Sequence, residues 1–340
     1  MILSPRGVRT AAANAVQLAR HGHLADLRPM PADPVEGGGA ARAVRRYRPP
    51  EGVVPAGPPV LFVPPPAVPA RCYDLRRGCS LAEHVVRAGR IGYLLDRGPE
   101  SAEQEAGLRE WVREVLPEAI RTVSRDAGGQ PVQLVGWCLG GVVALLAAAD
   151  DPGLPIASVA AVAAPVDARA ARRPVRLPVP RPAARIEERL LRPYRTLAHL
   201  DNADLLAQIE AVDQFTAAMA GFPGRTARHI RRALFRDGAL TAGAVDVDGR
   251  RVDLRRVRVP VLAIAGRGDG VAPVRSVLPL IRLLPAAPKV RFEVVSGGHL
   301  DVLTGRSARA TTWAHLDRWL DEGTVRHGIR RQRRAPAATV

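Results

Sequence analysis

One cysteine in the chain stands where a sulfur nucleophile would be presented to a substrate: Gly136-Trp137-Cys138-Leu139-Gly140-Gly141. Gly136 and Gly140 lie two residues before and two after Cys138. A nucleophile at the tip of a sharp strand-to-helix turn needs small residues at both places, because the turn is strained and crowded by neighbouring backbone. With 31 glycines in 340 residues, such flanking arises by chance about once in 120 for any one cysteine. The bland alternative is a buried cysteine acting as a small apolar residue, and that is the reading kept for Cys72 and Cys79. Three cysteines this unevenly placed make neither a disulfide framework nor a zinc site.

A cysteine nucleophile requires a base to form the thiolate and a third group to hold that base in the right tautomer. Eight histidines compete. His21 and His23 fall near the N-terminus, His84 and His315 on expected helices, His199 and His229 in an irregular middle region, and His327 in the basic tail. Only His299 directly follows an expected sheet strand, in Ser296-Gly297-Gly298-His299-Leu300, where glycines free a loop to swing toward the strand ends. Asp269, in Gly266-Arg267-Gly268-Asp269-Gly270, follows the preceding strand in the same sense, and the order nucleophile, acid, histidine is a known one for such a triad. The bland readings are a loop-capping carboxylate for Asp269 and a surface imidazole for His299. Asp301 is the second-choice acid, being close in sequence to the histidine it would have to orient. A tetrahedral oxyanion needs two backbone donors, one from the residue after the nucleophile, Leu139. The other is expected from the loop after Val60 to Val63, and because Pro64, Pro65 and Pro66 have no amide hydrogen, Ala67 is the first residue able to supply it.

The elements that must position these groups follow from periodicity. Apolar runs at Val60 to Val63, Ile91 to Leu95, Val132 to Val135, Ile156 to Ala163, Val259 to Ala265 and Arg291 to Val295 read as buried strands. Helical spacing lies between them, at Leu81 to Ala88, at Glu105 to Ala127 with Leu108, Trp111, Val112, Val115, Leu116, Ile120 and Val123 near one face, and at Gly141 to Ala149. This alternation argues a parallel α/β sheet built of crossover units. It breaks down over residues 168–195, where Pro174, Pro178, Pro180 and Pro182 among many arginines exclude a central strand or a long helix. Helical material follows through Leu197 to Phe235. The expected organisation is an N-terminal arm over 1–58 with a short helix near Thr10 to Arg20, a core over 59–167, a cap or lid insertion over 168–245, the rest of the core over 246–322 with a last helix at Thr311 to Leu320, and a basic, disordered tail over 323–340.

Composition sets the outer bounds. Hydrophobic residues at 47% with 24% charged describe a globular chain and exclude a wholly disordered or collagen-like one. The longest apolar run, Leu139 to Ala149, is too short to cross a bilayer, and no secretory signal is legible, so the expected location is the cytoplasm. A net charge of +17 raises a nucleic-acid partner. Lys289 is the only lysine, however, and the arginines are dispersed, so the charge reads as a compositional bias that attracts polyanions in general, and no specific nucleic-acid partner is expected.

Taken together, the Val63-Pro64-Pro65 loop, the Cys138 elbow, the Asp269 loop, Gly297-Gly298-His299 and the stretch from Asp253-Leu254 to Pro260 resemble the polyhydroxyalkanoate synthases of the α/β-hydrolase superfamily, over about residues 58 to 320. The resemblance implies the α/β-hydrolase fold, a mostly parallel central sheet with helices on both faces and a short helical cap insertion. It also implies an acyltransferase that polymerises hydroxyacyl-CoA with no cofactor, Cys138 carrying the acyl group, His299 acting as base and Asp269 as its partner. A second synthase subunit or a homodimer, and association with storage granules, are further implications. Two features depart from the family: Leu95-Asp96-Arg97-Gly98-Pro99 replaces a Trp-x-Asn-Pro-like signature, and the cap is short and rich in Arg and Pro. The alternatives are a thioesterase, esterase or lactonase using the same triad, and a non-catalytic relative serving as a partner protein.

Overall fold

The computed structural model describes residues 5–36, 43–66, 68–98, 106–170, 199–219, 224–235 and 238–326. In chain order they form α1 (Pro5–His21), β1 (Ala32–Pro34), β2 (Val44–Tyr47), β3 (Val60–Val63), α2 (Leu81–Arg87) and β4 (Gly92–Leu95). A helical stretch follows, made of α3 (Leu108–Glu110), a π turn (Trp111–Val115) and α4 (Leu116–Asp126), then β5 (Val132–Trp137), α5 (Leu139–Asp150) and β6 (Ile156–Val162). After the region where the alternation fails come α6 (Ala203–Ala218), α7 (Gly224–Phe235), β7 (Ala244–Val247) and β8 (Arg250–Asp253). The chain closes with β9 (Val261–Gly266), α8 (Val274–Val277), α9 (Leu280–Leu283), β10 (Val290–Val295), α10 (Asp301–Thr304) and α11 (Thr312–Arg326).

Eight strands form one sheet in the order β1-β2-β4-β3-β5-β6-β9-β10. Every pairing from β4 to β10 is parallel, while β1 and β2 join antiparallel at one edge. All residues of β3, β5, β6 and β9 are buried. Successive side chains of a strand point to opposite faces, so both faces of the sheet's centre are covered, as parallel strands require. Helix α5 is buried along its whole length, as a helix apolar on all sides must be, and packs on β5 and β6 and against β8. Helix α11 packs against β6, and Gln133 of β5 donates to the carbonyl of Leu320 in α11 at 3.0 Å.

Several boundaries differ from those expected. The expected N-terminal arm over 1–58 contributes to the core: β1 and β2 belong to the sheet, and Val44 and Tyr47 are buried around two exposed arginines. Pro34, which has no N–H to donate, is tolerated because β1 is an edge strand. The long helix near 105–127 contains the π turn immediately before Pro117. In a regular α-helix the proline ring would collide with the carbonyl of residue 113, and the wider turn relieves that contact. The hairpin β7–β8 was absent from the sequence reading, and α11 runs to Arg326. The Pro-rich part of the expected cap and the tail from 327 onward lie outside the described residues.

Candidate active site

Strand β5 leads into Cys138, the candidate nucleophile. Gly136 pairs with Val63 on one side and Ala161 on the other, and Trp137 with Val162. The chain then turns at Cys138, which adopts φ 52° and ψ −124°, a left-handed backbone that costs a non-glycine residue on the order of 1–3 kcal/mol. The Cys138 amide donates to the Val162 carbonyl at 2.9 Å, so the turn is tied to β6 as α5 begins. Both flanking glycines are sterically required. A Cβ on Gly140 would stand 2.1 Å from the Val63 carbonyl oxygen, and one on Gly136 would stand 2.5 Å from the Cα of Gly141. These are backbone contacts that no side-chain movement relieves.

The candidate acid, Asp269, and the candidate base, His299, lie on the loops after β9 and β10. Asp269 is buried, and its Oδ1 accepts from the amides of Val271 (2.8 Å) and Ala272 (2.7 Å). Its Oδ2 lies 2.8 Å from Nδ1 of His299. The two loops are joined by backbone bonds: Arg267 N–H to Val295 at 2.8 Å and Gly268 N–H to Gly297 at 3.1 Å. The second-choice acid, Asp301, instead accepts from the amide of Gly298 at 3.3 Å, closing its own turn.

On the other edge of the ring, Nε2 of His299 is buried and makes no hydrogen bond of ordinary geometry among the described residues. Burial works against the imidazolium, but the charge of Cys138, the hydrogen bond to Asp269 and the interaction with the Cys138 sulfur together push the His299 pKa up to about 10. The structure therefore brings Cys138, His299 and Asp269 together. Leu139, the expected oxyanion donor, contributes the first N–H of α5, which has no acceptor within the helix. The other expected donor, Ala67, falls outside the described residues.

Two site residues escaped the sequence reading. Tyr73, at the end of a 3-10 turn (Ala70–Tyr73), is fully buried among the strand ends. Its hydroxyl accepts from the Trp137 amide at 2.9 Å and lies 2.8 Å from the Val63 carbonyl and 3.0 Å from that of Val135, donating to one of these at a time. Burial pushes the phenol well above its ordinary value, so the proton that makes this clamp is retained. Trp137 lies within the elbow. Its indole N–H donates to the His299 backbone carbonyl at 2.9 Å, and its ring lies 4.9 Å from the imidazole at an interplanar angle of 37°. Position beside the nucleophile was the one available signal for Trp137. Tyr73 offered none, since its partners are backbone atoms on separate strands.

Cys72 and Cys79 are buried and free, and the Cys79 thiol donates to the Thr304 carbonyl at 2.9 Å. Among the described residues no group of three or more His, Cys, Asp or Glu side chains is placed to hold a metal ion, and no helix is long and apolar enough to cross a membrane.

A mostly parallel sheet with a strained strand-to-helix turn after a central strand, and with an aspartate and a histidine on the loops after two later strands, is the arrangement of an α/β hydrolase. A sequence model described as the alpha/beta hydrolase fold matches residues 96–306, and the chain belongs to that family. Within it the chain is similar to the Poly(3-hydroxyalkanoate) polymerase subunit PhaC of two organisms. It is 22% identical to that of Haloferax mediterranei over 276 residues, covering 73% of this chain and 56% of the relative. It is 23% identical to that of Allochromatium vinosum over 304 residues, covering 82% of this chain and 84% of the relative. The chain thus spans little more than half the length of the first relative and most of the second. Among solved structures, the proline iminopeptidase of Mycobacterium smegmatis superposes with a TM-score of 0.54 at 18% identity, over 87% of this chain and all of that one. That likeness concerns the fold.

Proposed function

We propose that the protein is a cysteine acyltransferase that takes hydroxyacyl groups from CoA thioesters through an acyl-Cys138 intermediate, with His299 and Asp269 completing the triad and the Leu139 amide contributing to the oxyanion hole. The observation that supports this reading is geometric: Asp269 lies 2.8 Å from Nδ1 of His299, Nε2 on the other edge of the ring is buried, and Trp137, joined to the strained Cys138 turn, holds the His299 backbone carbonyl at 2.9 Å.

The chemistry follows from the coupling. His299 takes the proton of the Cys138 thiol, leaving the thiolate beside the imidazolium. The thiolate attacks the thioester carbonyl, and the Leu139 N–H stabilises the oxyanion. Collapse breaks the bond to CoA sulfur, which takes the proton from His299 and leaves as the thiol. Once Cys138 is acylated its charge is gone, and with it a principal cause of the raised pKa. The now neutral imidazole is a base, and it takes the proton of a hydroxyl on a second hydroxyacyl unit. The resulting alkoxide attacks the acyl-cysteine, forming the ester and releasing the Cys138 thiolate beside the imidazolium, ready for the next thioester. Exchange of one thioester for another is nearly isoenergetic, which suits a sulfur nucleophile that must pass its acyl group onward. A second synthase subunit or a second copy of the chain, and a location on storage granules, belong to the same proposal.

Incubating the full chain with 3-hydroxybutyryl-CoA tests it. CoA release is expected together with insoluble polymer, and Cys138→Ala should abolish both. Full turnover by Cys138→Ala overturns the covalent step, while free 3-hydroxybutyrate in amounts matching the released CoA assigns the acceptor role to water and the activity to a thioesterase.

A further inference from the structure

His299 follows two glycines, so its loop has little backbone stiffness of its own. Asp269 fixes one edge of the ring but lies on the neighbouring loop, and the two loops are tied mainly to each other. Something on the nucleophile's side must set where the imidazole sits relative to the sulfur. The residue covalently next to Cys138 makes two independent contacts with His299, an indole N–H bond to its backbone carbonyl at 2.9 Å and a ring contact at 4.9 Å, within the range of about 4.5–7 Å for aromatic pairs. Trp137 is itself buried, and its own amide is held by the Tyr73 hydroxyl at 2.9 Å, so the reference point does not drift.

We infer that Trp137 is a positioning residue that registers the base against the nucleophile, its indole N–H pinning the backbone of His299 and its ring bracing the imidazole on the side of Cys138. The inference rests on the Cys138–His299 pairing proposed above and adds a specific requirement to it. An aliphatic residue would fill the same space but supply neither contact. Phenylalanine would keep the ring and lose the N–H. The two functions of the side chain are therefore separable.

The test measures the rate at which iodoacetamide alkylates Cys138, followed on the Cys138 peptide by mass spectrometry from about pH 5 to pH 11, for wild type, Trp137→Phe, Trp137→Leu and His299→Gln in the full chain. At neutral pH, Trp137→Phe is expected to react about three- to ten-fold more slowly and Trp137→Leu more than ten-fold more slowly, since small misplacements of reacting groups cost up to about 100-fold. All four should converge at the alkaline end, where the thiolate forms without help. A packing role alone would lower the melting temperature and leave the pH profile of the folded protein unchanged, so wild-type profiles in both tryptophan variants, with a slow His299→Gln, overturn the role of Trp137 only. A His299→Gln profile equal to wild type overturns the cysteine–histidine pairing and this inference with it. If Trp137→Leu does not fold, Trp137→Phe decides alone.

Discussion

The turn that carries Cys138 and the loops that carry Asp269 and His299 meet at one site but are held by different forces. The turn is fixed by exclusion: Gly136 and Gly140 sit where any Cβ would strike backbone, and the strained φ of Cys138 persists because β5, β6 and the buried helix α5 leave it no alternative. The loops are fixed by hydrogen bonds, with the two amides after Asp269 and the imidazole sharing one carboxylate. Steric fixing is stiff and all-or-none, whereas a hydrogen-bonded arrangement can be altered one atom at a time. Cys138 therefore has a single permitted backbone position, whereas the Asp269–His299 pair is open to change one proton at a time.

Asp269→Asn should break the second half of this arrangement most severely. The carboxamide can still accept from Val271 and Ala272 through its oxygen, but its NH2 would then face Nδ1 of His299 and force the ring proton onto Nε2. A histidine in that tautomer cannot take the Cys138 proton, and an acid-to-amide change of this kind costs about 10⁴-fold in turnover. Steady-state CoA release measures it, and a loss below ten-fold would show that Asp269 does not orient the base. A related pH effect accompanies it. The raised imidazolium contributes stability that is in place below the ordinary histidine value of 6.5 and is lost as pH rises through about 10. An NMR titration of the His299 ring should give a midpoint near 10 in wild type and a lower one in Cys138→Ala, where the sulfur's charge is missing. Equal midpoints would remove the coupling on which the mechanism relies.

Gly140→Ala attacks the steric half. The new methyl would lie 2.1 Å from the Val63 carbonyl oxygen, and β3 is locked between β4 and β5. Destabilisation on the order of 3 kcal/mol or more is expected, seen as a lowered denaturation midpoint. Tyr73→Phe should cost less, about 1–3 kcal/mol, because it leaves the Trp137 amide and the Val63 and Val135 carbonyls short of a buried partner without creating a clash. A melting temperature equal to wild type would mean that the hydroxyl is not the clamp described.

What the sequence made legible follows the same division. The Cys138 elbow is local: two glycines, an apolar run before and small residues after stand within a few positions, and sterics make their spacing obligatory. Asp269 and His299 were also legible, since each follows an apolar strand directly. Tyr73 was not, because its hydroxyl meets backbone groups of Val63, Val135 and Trp137 and backbone carries no residue identity. Strands β1 and β2 were hidden by Pro34 and by Arg45-Arg46, which leave Val44 and Tyr47 as the only buried positions of β2. The β7–β8 hairpin did have a signal. Asp248-Gly249 forms its turn with φ of 55° and 76°, the pair of positive values that favours Asp-Gly between two strands, but the boundary expected between insertion and core at 245/246 cuts through its first strand, and no strand was expected between Phe235 and Val259.

The smallest effect expected is at Asp301, and it is the sharpest control for Asp269. Both carboxylates lie near the histidine, Asp301 only two residues along the chain and Asp269 thirty residues before it. Proximity in sequence places Asp301 on α10 immediately after the turn, so its side chain folds back to the Gly298 amide at 3.3 Å, while the opposite loop is free to bring Asp269 against Nδ1. Asparagine at position 301 keeps an oxygen acceptor for that amide, and the residue is exposed, so Asp301→Asn should change stability by no more than about 0.5 kcal/mol and turnover by less than about three-fold. Measured beside Asp269→Asn in the same CoA-release assay, a large loss at Asp301 with a small one at Asp269 would exchange their roles and put the orienting carboxylate on the histidine's own loop.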